Sequence, residues 1–218
     1  MVRSVLGRLA AVMRVTQVIL LVLALTVALG DWRASKVGDR LQIALPLLAL
    51  ACQPSPFAAQ EFVLRYGAMF TAAHGTKRAL DGTEINRRPD GGASGFPSAH
   101  TSTAVLGASA LLRDCLVRAP VAQGVAIFAA TFVGASRIDA GRHDIWQVFA
   151  GALLGLGSDR LLRRDGPARA RAVDMVCAAR NAAVRFLRHL CTAGLAAPGR
   201  LAAAWRSRRL RGAGKAGA

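Results

Sequence analysis

The chain has 218 residues, of which 53% are hydrophobic, and its formal net charge is +17. A sequence pI near 11.7 is typical of nucleic-acid-binding proteins, but those proteins rarely devote half of their residues to apolar side chains. The composition therefore argues against a nucleic-acid partner and against an ordinary soluble domain.

The basic residues are concentrated at the two ends of the chain. Residues 160–218 hold 14 basic and two acidic side chains, and residues 1–14 hold three arginines and no acid. Fifteen of the 17 net charges therefore lie outside residues 15–159. Lys and Arg accumulate in the cytoplasmic segments of multi-pass membrane proteins. The sequence predicts a basic cytoplasmic N-terminus (1–14), a membrane domain (15–159) and a basic cytoplasmic tail (160–218).

Apolar stretches within the central region predict an all-α bundle of six transmembrane helices. They cover residues 15–30, two crossings within 41–76 that turn near 53–56, and residues 101–112, 119–136 and 145–158. The first stretch is a membrane span or a cleaved signal peptide, because Ala28-Leu29-Gly30 has the small-residue pattern of a cleavage site. Within the third stretch, Glu61 and Arg65 have the spacing of an ion pair on one helix face.

The cysteines carry no pairing signal. Cys52, Cys115, Cys177 and Cys191 show neither a CxxC motif nor a metal-ligand spacing. We expect all four to be unpaired.

Two polar segments contain the residues suited to chemistry. With the N-terminus inside, residues 77–100 and 137–144 both fall on the outer face, so we expect them to build one site. They carry the cations Lys77, Arg87, Arg88 and Arg137, the hydroxyl of Ser98, and the histidines His100 and His143. Several cations beside helix N-termini suit a phosphate. The sequence shows no P-loop, HExxH motif or acidic cluster, which argues against a nucleotide or a metal. Two histidines then favour one group that attacks phosphorus and one that protonates the leaving alkoxide.

These motifs resemble the type 2 phosphatidic acid phosphatases, whose superfamily also includes bacterial acid phosphatases and vanadium haloperoxidases. Arg88-Pro89 matches the family's Arg-Pro, and FPSAH at residues 96–100 matches its Pro-Ser-Gly-His except at Ala99. Ser136-Arg137-x5-His143 matches the third motif up to its acid. The resemblance extends over about residues 38–157.

The resemblance implies an all-helical membrane phosphatase that uses no metal or other cofactor. By this similarity, His143 is the nucleophile that forms a phosphohistidine, and His100 is the general acid. The positions matched to phosphoryl binding are Lys77, Arg88, Ser98, Ala99 and Arg137.

Three departures from the family pattern affect the expected site. Lys77 precedes Arg88 by 11 positions instead of seven, so the intervening residues loop out or Arg78 takes the lysine's place. Ala99 replaces a glycine, which costs about 1–2 kcal/mol if the backbone needs positive φ. Gln147 stands four residues after His143 where the family has Asp. A glutamine orients the ring without adding charge, or Asp144 or Asp139 supplies the missing carboxylate.

The function predicted from the sequence is that of a lipid phosphatase of the bacterial inner membrane, with its active site facing the periplasm. The expected partners are membrane lipids and a substrate such as a phospholipid, a polyprenyl pyrophosphate or lipid A. The alternative is an attenuated or inactive protein that binds a phosphate headgroup. The tail is interpreted as a basic amphipathic helix on anionic lipid, or as a solvated disordered segment. His74 is interpreted as a helix-end side chain.

Overall fold

The structure, a computed structural model, describes residues 2–164, 166, 170–171, 174–175 and 177–189. The described residues are helical with connecting turns and contain no strand, which confirms the all-α prediction for this part of the chain. The chain divides into two compact units, Met1–Arg169 and Ala170–Ala218. In the second unit, residues 177–189 are helical and exposed. The other residues of the predicted tail helix lie largely outside the described residues.

The first unit contains helices at each predicted apolar stretch. They are α1 (Val2–Ala28), α2 (Ala34–Ala51), α3 (Pro56–Ala79), α4 (Ala99–Asp114), α5 (Pro120–Asp139) and α6 (Ile145–Leu161), with a 3₁₀ turn at Glu84–Asn86. Within the described ranges, only α5 is both long and apolar enough to cross a membrane by composition. The apolar part of α1, Met13–Ala28, is shorter.

Small residues let the helices approach closely around α4. A Cβ on Gly151 or Gly155 of α6 would collide with the backbone carbonyls of Ser98 and Ser102 on the facing side of α4. A Cβ on Gly107 would lie 2.5 Å from the backbone nitrogen of Pro46 in α2. Such close contacts increase the packed area between helices without a large side chain between them. As a result, the N-terminal ends of α4 and α6 meet at one end of the bundle.

A buried ionic cluster joins α3, α4 and α6 near their other ends. Asp159 is fully buried, accepts a 2.7 Å hydrogen bond from Ser109 and lies 3.1 Å from Arg163 and 3.4 Å from Arg65. The predicted pairing of Arg65 with Glu61 is present at 3.7 Å. Asp159 is 14 residues from the start of α6, or roughly 21 Å of helix. The cluster therefore fixes the helices at a distance from the N-terminal ends of α4 and α6.

We expect Asp159→Asn to lower the free energy of unfolding by about 3–5 kcal/mol, because it leaves the buried Arg65 without its nearest carboxylate. Thermal or denaturant unfolding in detergent measures this loss. The matched control is Asp31→Asn, which removes an exposed pair with Arg33 and should change stability by less than about 0.5 kcal/mol. Equal stability of the two variants would show that the cluster contributes no net stabilisation.

One pair of cysteines corrects the sequence-based prediction. Cys52 and Cys115 form a disulfide between the ends of α2 and α4, with their Cα atoms 6.1 Å apart. The expectation that both are unpaired is wrong, because the packing of α2 on α4 brings together residues 63 positions apart. Cys177 is free and exposed, and Cys191 lies outside the described residues.

Candidate active site

The two polar segments meet at the N-terminal ends of α4 and α6, which confirms their predicted proximity. Arg142 forms a 3.2 Å ion pair with Asp90 across the two segments. The backbone N–H of Ser98 donates to the carbonyl of Gln147 at 2.9 Å. These contacts place the start of α4 against the start of α6, so both histidines lie at one end of the bundle.

A cavity of about 480 Å³ opens between these segments. Its lining is rich in cations and histidines and includes no carboxylate. It comprises His74, Lys77, Arg78, Arg88, Ser94, Ala99, His100, Arg137, Arg142 and His143. Five cationic side chains around one cavity create a positive potential that suits an anion of high charge.

Lys77 and Arg88 point their donors at the same backbone carbonyl. Lys77 is mostly buried and donates from Nζ to the Ser94 carbonyl at 2.6 Å, and Arg88 donates from Nη2 to it at 3.4 Å. Ser94 adopts a left-handed φ of 63°, which is uncommon for a non-glycine residue. The buried Nε of Arg88 has no hydrogen-bond partner. Arg88 therefore keeps one unused donor close to the ammonium of Lys77.

The structure separates the two candidates for the lysine position. Lys77 lies inside the cavity, whereas Arg78 is exposed at its edge. The intervening residues loop out through the 3₁₀ turn, so the longer spacing does not displace Lys77. Arg87, the other cation of this segment, pairs with Glu84 at 3.2 Å and does not line the cavity.

Arg137 and His100 share one carboxylate, that of Asp39 in α2. Arg137 donates from Nη1 to Asp39 Oδ1 at 2.9 Å and from Nη2 to the Ser35 carbonyl at 2.6 Å. His100 Nε2 lies 3.3 Å from the same Asp39 oxygen. Asp39 was not among the site residues predicted from the sequence. Its one signal was that it is the single acidic residue of α2, near the start of that helix.

His143 is held at the end of α5 by the backbone of Arg137. The N–H groups of Arg142 and His143 donate to the Arg137 carbonyl at 3.0 and 3.3 Å. The His143 ring is 4% exposed, and its Nδ1 lies 3.1 Å from Oε1 of Gln147. The turn that follows α5 therefore fixes the positions of both Arg137 and His143 in the lining of the cavity.

The pKa of His143 is lowered to about 4, chiefly because burial disfavours the charged ring. Hydrogen bonds to Gln147 and to the Gly95 backbone oppose this shift, and the charges of Lys77 and Arg88 add to it. The imidazole is consequently neutral at neutral pH, the form that has a lone pair for nucleophilic attack.

Other predicted site residues have structural contacts at the helix starts. Ser98 is fully buried and caps α4, and it does not line the cavity. Ala99 begins α4 and has no positive φ, so the expected backbone cost does not arise. Asp144 caps α6 by accepting from the backbone N–H of Gln147 at 2.8 Å, and Asp139 is exposed.

Asn86 is a second residue that the sequence analysis missed. It is 2% exposed, donates to the Lys77 carbonyl at 2.9 Å and accepts from the Phe96 N–H at 3.0 Å. These two hydrogen bonds connect the 3₁₀ turn to Lys77 at the end of α3 and to Phe96 shortly before α4. An asparagine in a polar loop carries no sequence signal that distinguishes it from its neighbours.

An apolar groove of about 430 Å³ adjoins the cavity between α2, α3 and α4. The groove and the cavity share His74, Ala99 and His100. The other groove residues are mostly apolar: Gln42, Ile43, Pro46, Leu47, Leu50, Phe62, Val63, Tyr66, Phe70 and Thr103. A ligand that reaches both would place a polar group among cations and an apolar group between helices.

Over the described ranges, no three His, Cys, Asp or Glu side chains cluster closely enough to hold a metal ion.

Comparison with known proteins gives one family and one solved structure. Residues 18–171 match the model of the PAP2 superfamily. No curated protein matches the chain. The solved structure is described as "Crystal structure of the first transmembrane PAP2 type phosphatidylglycerolphosphate phosphatase from Bacillus subtilis". Its sequence is 18% identical, the TM-score is 0.46, and the match covers 72% of this chain and 84% of that one.

Proposed function

Because this chain belongs to the PAP2 superfamily, we propose that it is a membrane lipid phosphatase that hydrolyses a phosphomonoester or pyrophosphate of an amphiphilic substrate. The observation that carries this proposal is the cavity in which His143 and His100 lie among five cations. Fixed cations stabilise the charge that the equatorial oxygens hold in phosphoryl transfer.

The proposed reaction has two steps. In the first, the lone pair of His143 forms a bond to phosphorus while the bond from phosphorus to the leaving oxygen breaks, and His100 gives its proton to that oxygen. In the second, water attacks the phosphohistidine, His100 takes a proton from the water, and the phosphorus–nitrogen bond breaks to release phosphate. Lys77, Arg88 and Arg137 hold the phosphoryl oxygens throughout.

The role of His100 as general acid is supported by Asp39. Burial, chiefly, and the charge of Arg137 lower the pKa of His100, and the Asp39 carboxylate, 3.3 Å from its Nε2, opposes this shift by stabilising the protonated ring. In the second step, the same pair orients His100 to accept a proton from water.

A lipid substrate is supported by the apolar groove beside the cavity. Because His74, Ala99 and His100 line both, a phosphate among the cations leaves a hydrocarbon chain next to Ile43, Leu47 and Phe70. The groove thus offers a place for the hydrocarbon chain of an amphiphile beside the phosphate, a place that a soluble phosphate would leave unfilled.

Membrane location is supported by the exposed surface of the bundle. Large apolar side chains are more than half exposed on several helices, among them Val18, Leu21, Leu47, Leu64, Val121, Phe128, Phe149 and Leu153. By contrast, the charged side chains of Arg65 and Asp159 are buried inside the bundle. Exposed apolar surface of this extent is typical of contact with lipid or with another protein, and it supports the proposed membrane location.

We propose that the cavity faces the periplasm and that both termini lie in the cytoplasm of a bacterial cell. The support is the charge distribution, since 15 of the 17 net charges lie at the ends of the chain. The Cys52–Cys115 disulfide opposes this orientation, because it lies at the end away from the cavity and disulfides persist in oxidising compartments. Because the charge distribution involves far more of the chain than one disulfide does, we base the proposed orientation on the charges.

The lowered pKa of His143 predicts an unusually low acid limit for the reaction. Protonation removes the lone pair, so kcat/KM should fall only as the pH drops through about 4. A pH profile with a lipid phosphate in mixed micelles measures this limit. An acid limb near pH 6.5, the ordinary value for histidine, that persists with a substrate whose phosphate does not ionise in that range would contradict the buried, neutral nucleophile.

Phosphate release from a panel of lipids tests the proposed function. Purified protein is assayed with phosphatidic acid, phosphatidylglycerol phosphate, a polyprenyl pyrophosphate and a lipid A phosphate, with and without chelator. We expect turnover of at least one lipid that is insensitive to chelator and exceeds turnover of glycerol phosphate. No release from any lipid would overturn the proposal.

A second candidate function is that of an attenuated protein that binds a phosphate headgroup without turnover. The observation that favours it is the neutral Gln147 beside His143, where no carboxylate stabilises an imidazolium. Binding of a lipid phosphate without release of phosphate in the same panel would support this alternative.

A further inference from the structure

The side chain of Gln147 is enclosed behind the nucleophilic histidine. It is 1% exposed, in the first turn of α6. Its Oε1 lies 3.1 Å from His143 Nδ1, and its Nε2 donates to the carbonyls of Ile85 and Arg87 at 3.1 and 2.8 Å. Both amide hydrogens are therefore donated to carbonyls in and directly after the 3₁₀ turn, and the amide oxygen faces His143.

The two carbonyls fix which way the carboxamide points. A flipped amide would place its oxygen against the Ile85 and Arg87 oxygens, which are acceptors only. Oε1 must therefore face His143, and an oxygen facing Nδ1 requires that Nδ1 carries the proton. In a neutral ring the other nitrogen, Nε2, then has the lone pair.

The same contacts hold the loop that presents Arg88. Arg87, whose carbonyl accepts from Gln147, directly precedes Arg88, and the Gly95 N–H closes the loop on the Asn86 carbonyl at 2.7 Å. Gly95 packs on the carboxamide so closely that a Cβ there would lie 2.5 Å from Gln147 Nε2. The carboxamide of Gln147 thus packs tightly against both the loop and His143.

We propose that Gln147 is a positioning residue through which the loop at residues 84–95 fixes the tautomer of His143 and the place of Arg88. The inference rests on the proposed function, because the free lone pair matters when His143 attacks phosphorus. A carboxylate does not replace the amide, since it would face two carbonyl oxygens without a hydrogen to donate.

Two substitutions of nearly the same shape remove the contacts of the carboxamide in part or in full. Gln147→Glu keeps an acceptor for His143 and loses both donors to the loop, and Gln147→Met loses every polar contact. We expect both to lower kcat/KM by about 100-fold, the typical effect of misplacing a reacting group by 1 Å. We also expect KM to rise in both, because Arg88 loses its support.

The matched control is Gln123→Glu in α5. Gln123 likewise donates from its carboxamide to a backbone carbonyl, that of Leu116 at 2.8 Å, but it does not line the cavity. We expect a lower melting temperature for this variant, with kcat and KM unchanged. If Gln147→Glu also lowers only the melting temperature, or if it is as active as the wild type, the inference fails.

A spectroscopic readout tests the tautomer independently of turnover. In protein labelled with ¹⁵N-histidine, we expect the wild type to show His143 protonated at Nδ1, and Gln147→Met to show an increased share of the Nε2-protonated form. A wild-type ring protonated at Nε2 would overturn the inference. If the wild type releases no phosphate from any lipid, the proposed function fails, and the ¹⁵N spectra still decide the inference.

Discussion

Replacing His143 by alanine is expected to reduce phosphate release from a lipid phosphate by at least about 10⁴-fold, because no other group takes the place of a covalent nucleophile. His143 is the one histidine of the cavity that is almost fully buried and hydrogen-bonded through Nδ1. Phosphate release per folded protein, at saturating lipid, measures the loss.

The control for this substitution is His74→Ala. His74 lines the same cavity, but its Nδ1 is hydrogen-bonded to the Phe70 carbonyl of its own helix at 2.9 Å and its ring stacks on Phe70. We expect its loss of activity to stay within about tenfold, the effect of a minor contact with the substrate. Comparable losses in the two variants, or turnover retained by His143→Ala, would contradict the assigned nucleophile.

Lys77→Ala is expected to lower kcat/KM by about 10²–10³-fold, the usual effect of removing one donor to the charge of a transition state. Its ammonium is mostly buried and directed at the Ser94 carbonyl beside the cavity. Initial rates over a range of lipid concentrations measure the effect.

The neighbouring cation provides the comparison. Arg78→Ala removes an exposed guanidinium at the cavity edge, and we expect less than about a fivefold loss because exposed charges are screened by solvent. If Arg78→Ala has the larger effect, Arg78 takes the lysine's role and the position of Lys77 serves packing alone.

The helices and the meeting of the two polar segments follow from the sequence. Apolar stretches separated by charged or proline-containing turns identified each helix, and counting crossings placed residues 77–100 and 137–144 at the same end. His100 and His143 each precede an apolar stretch, so their positions near helix starts were also predictable. Periodicity and charge determine these features locally, without knowledge of packing.

Contacts between distant helices were not predictable in the same way. Asp39 reaches Arg137 across 98 residues, and Cys52 reaches Cys115 across 63. Each depends on how closely α2 packs against α4 and α5, which is set by glycines such as Gly38 and Gly107. Gln147 was expected only to orient a ring, and its two bonds to the 3₁₀ turn depend on how the loop folds back.

Trapping the phosphoenzyme tests the central claim most directly. The protein is exposed briefly to a lipid phosphate labelled with ³²P, quenched in alkali, and digested to locate the label. The proposed mechanism predicts label on His143 in the wild type and none in His143→Ala. Phosphate release by the wild type with no label on His143, or with label on another residue, would contradict it.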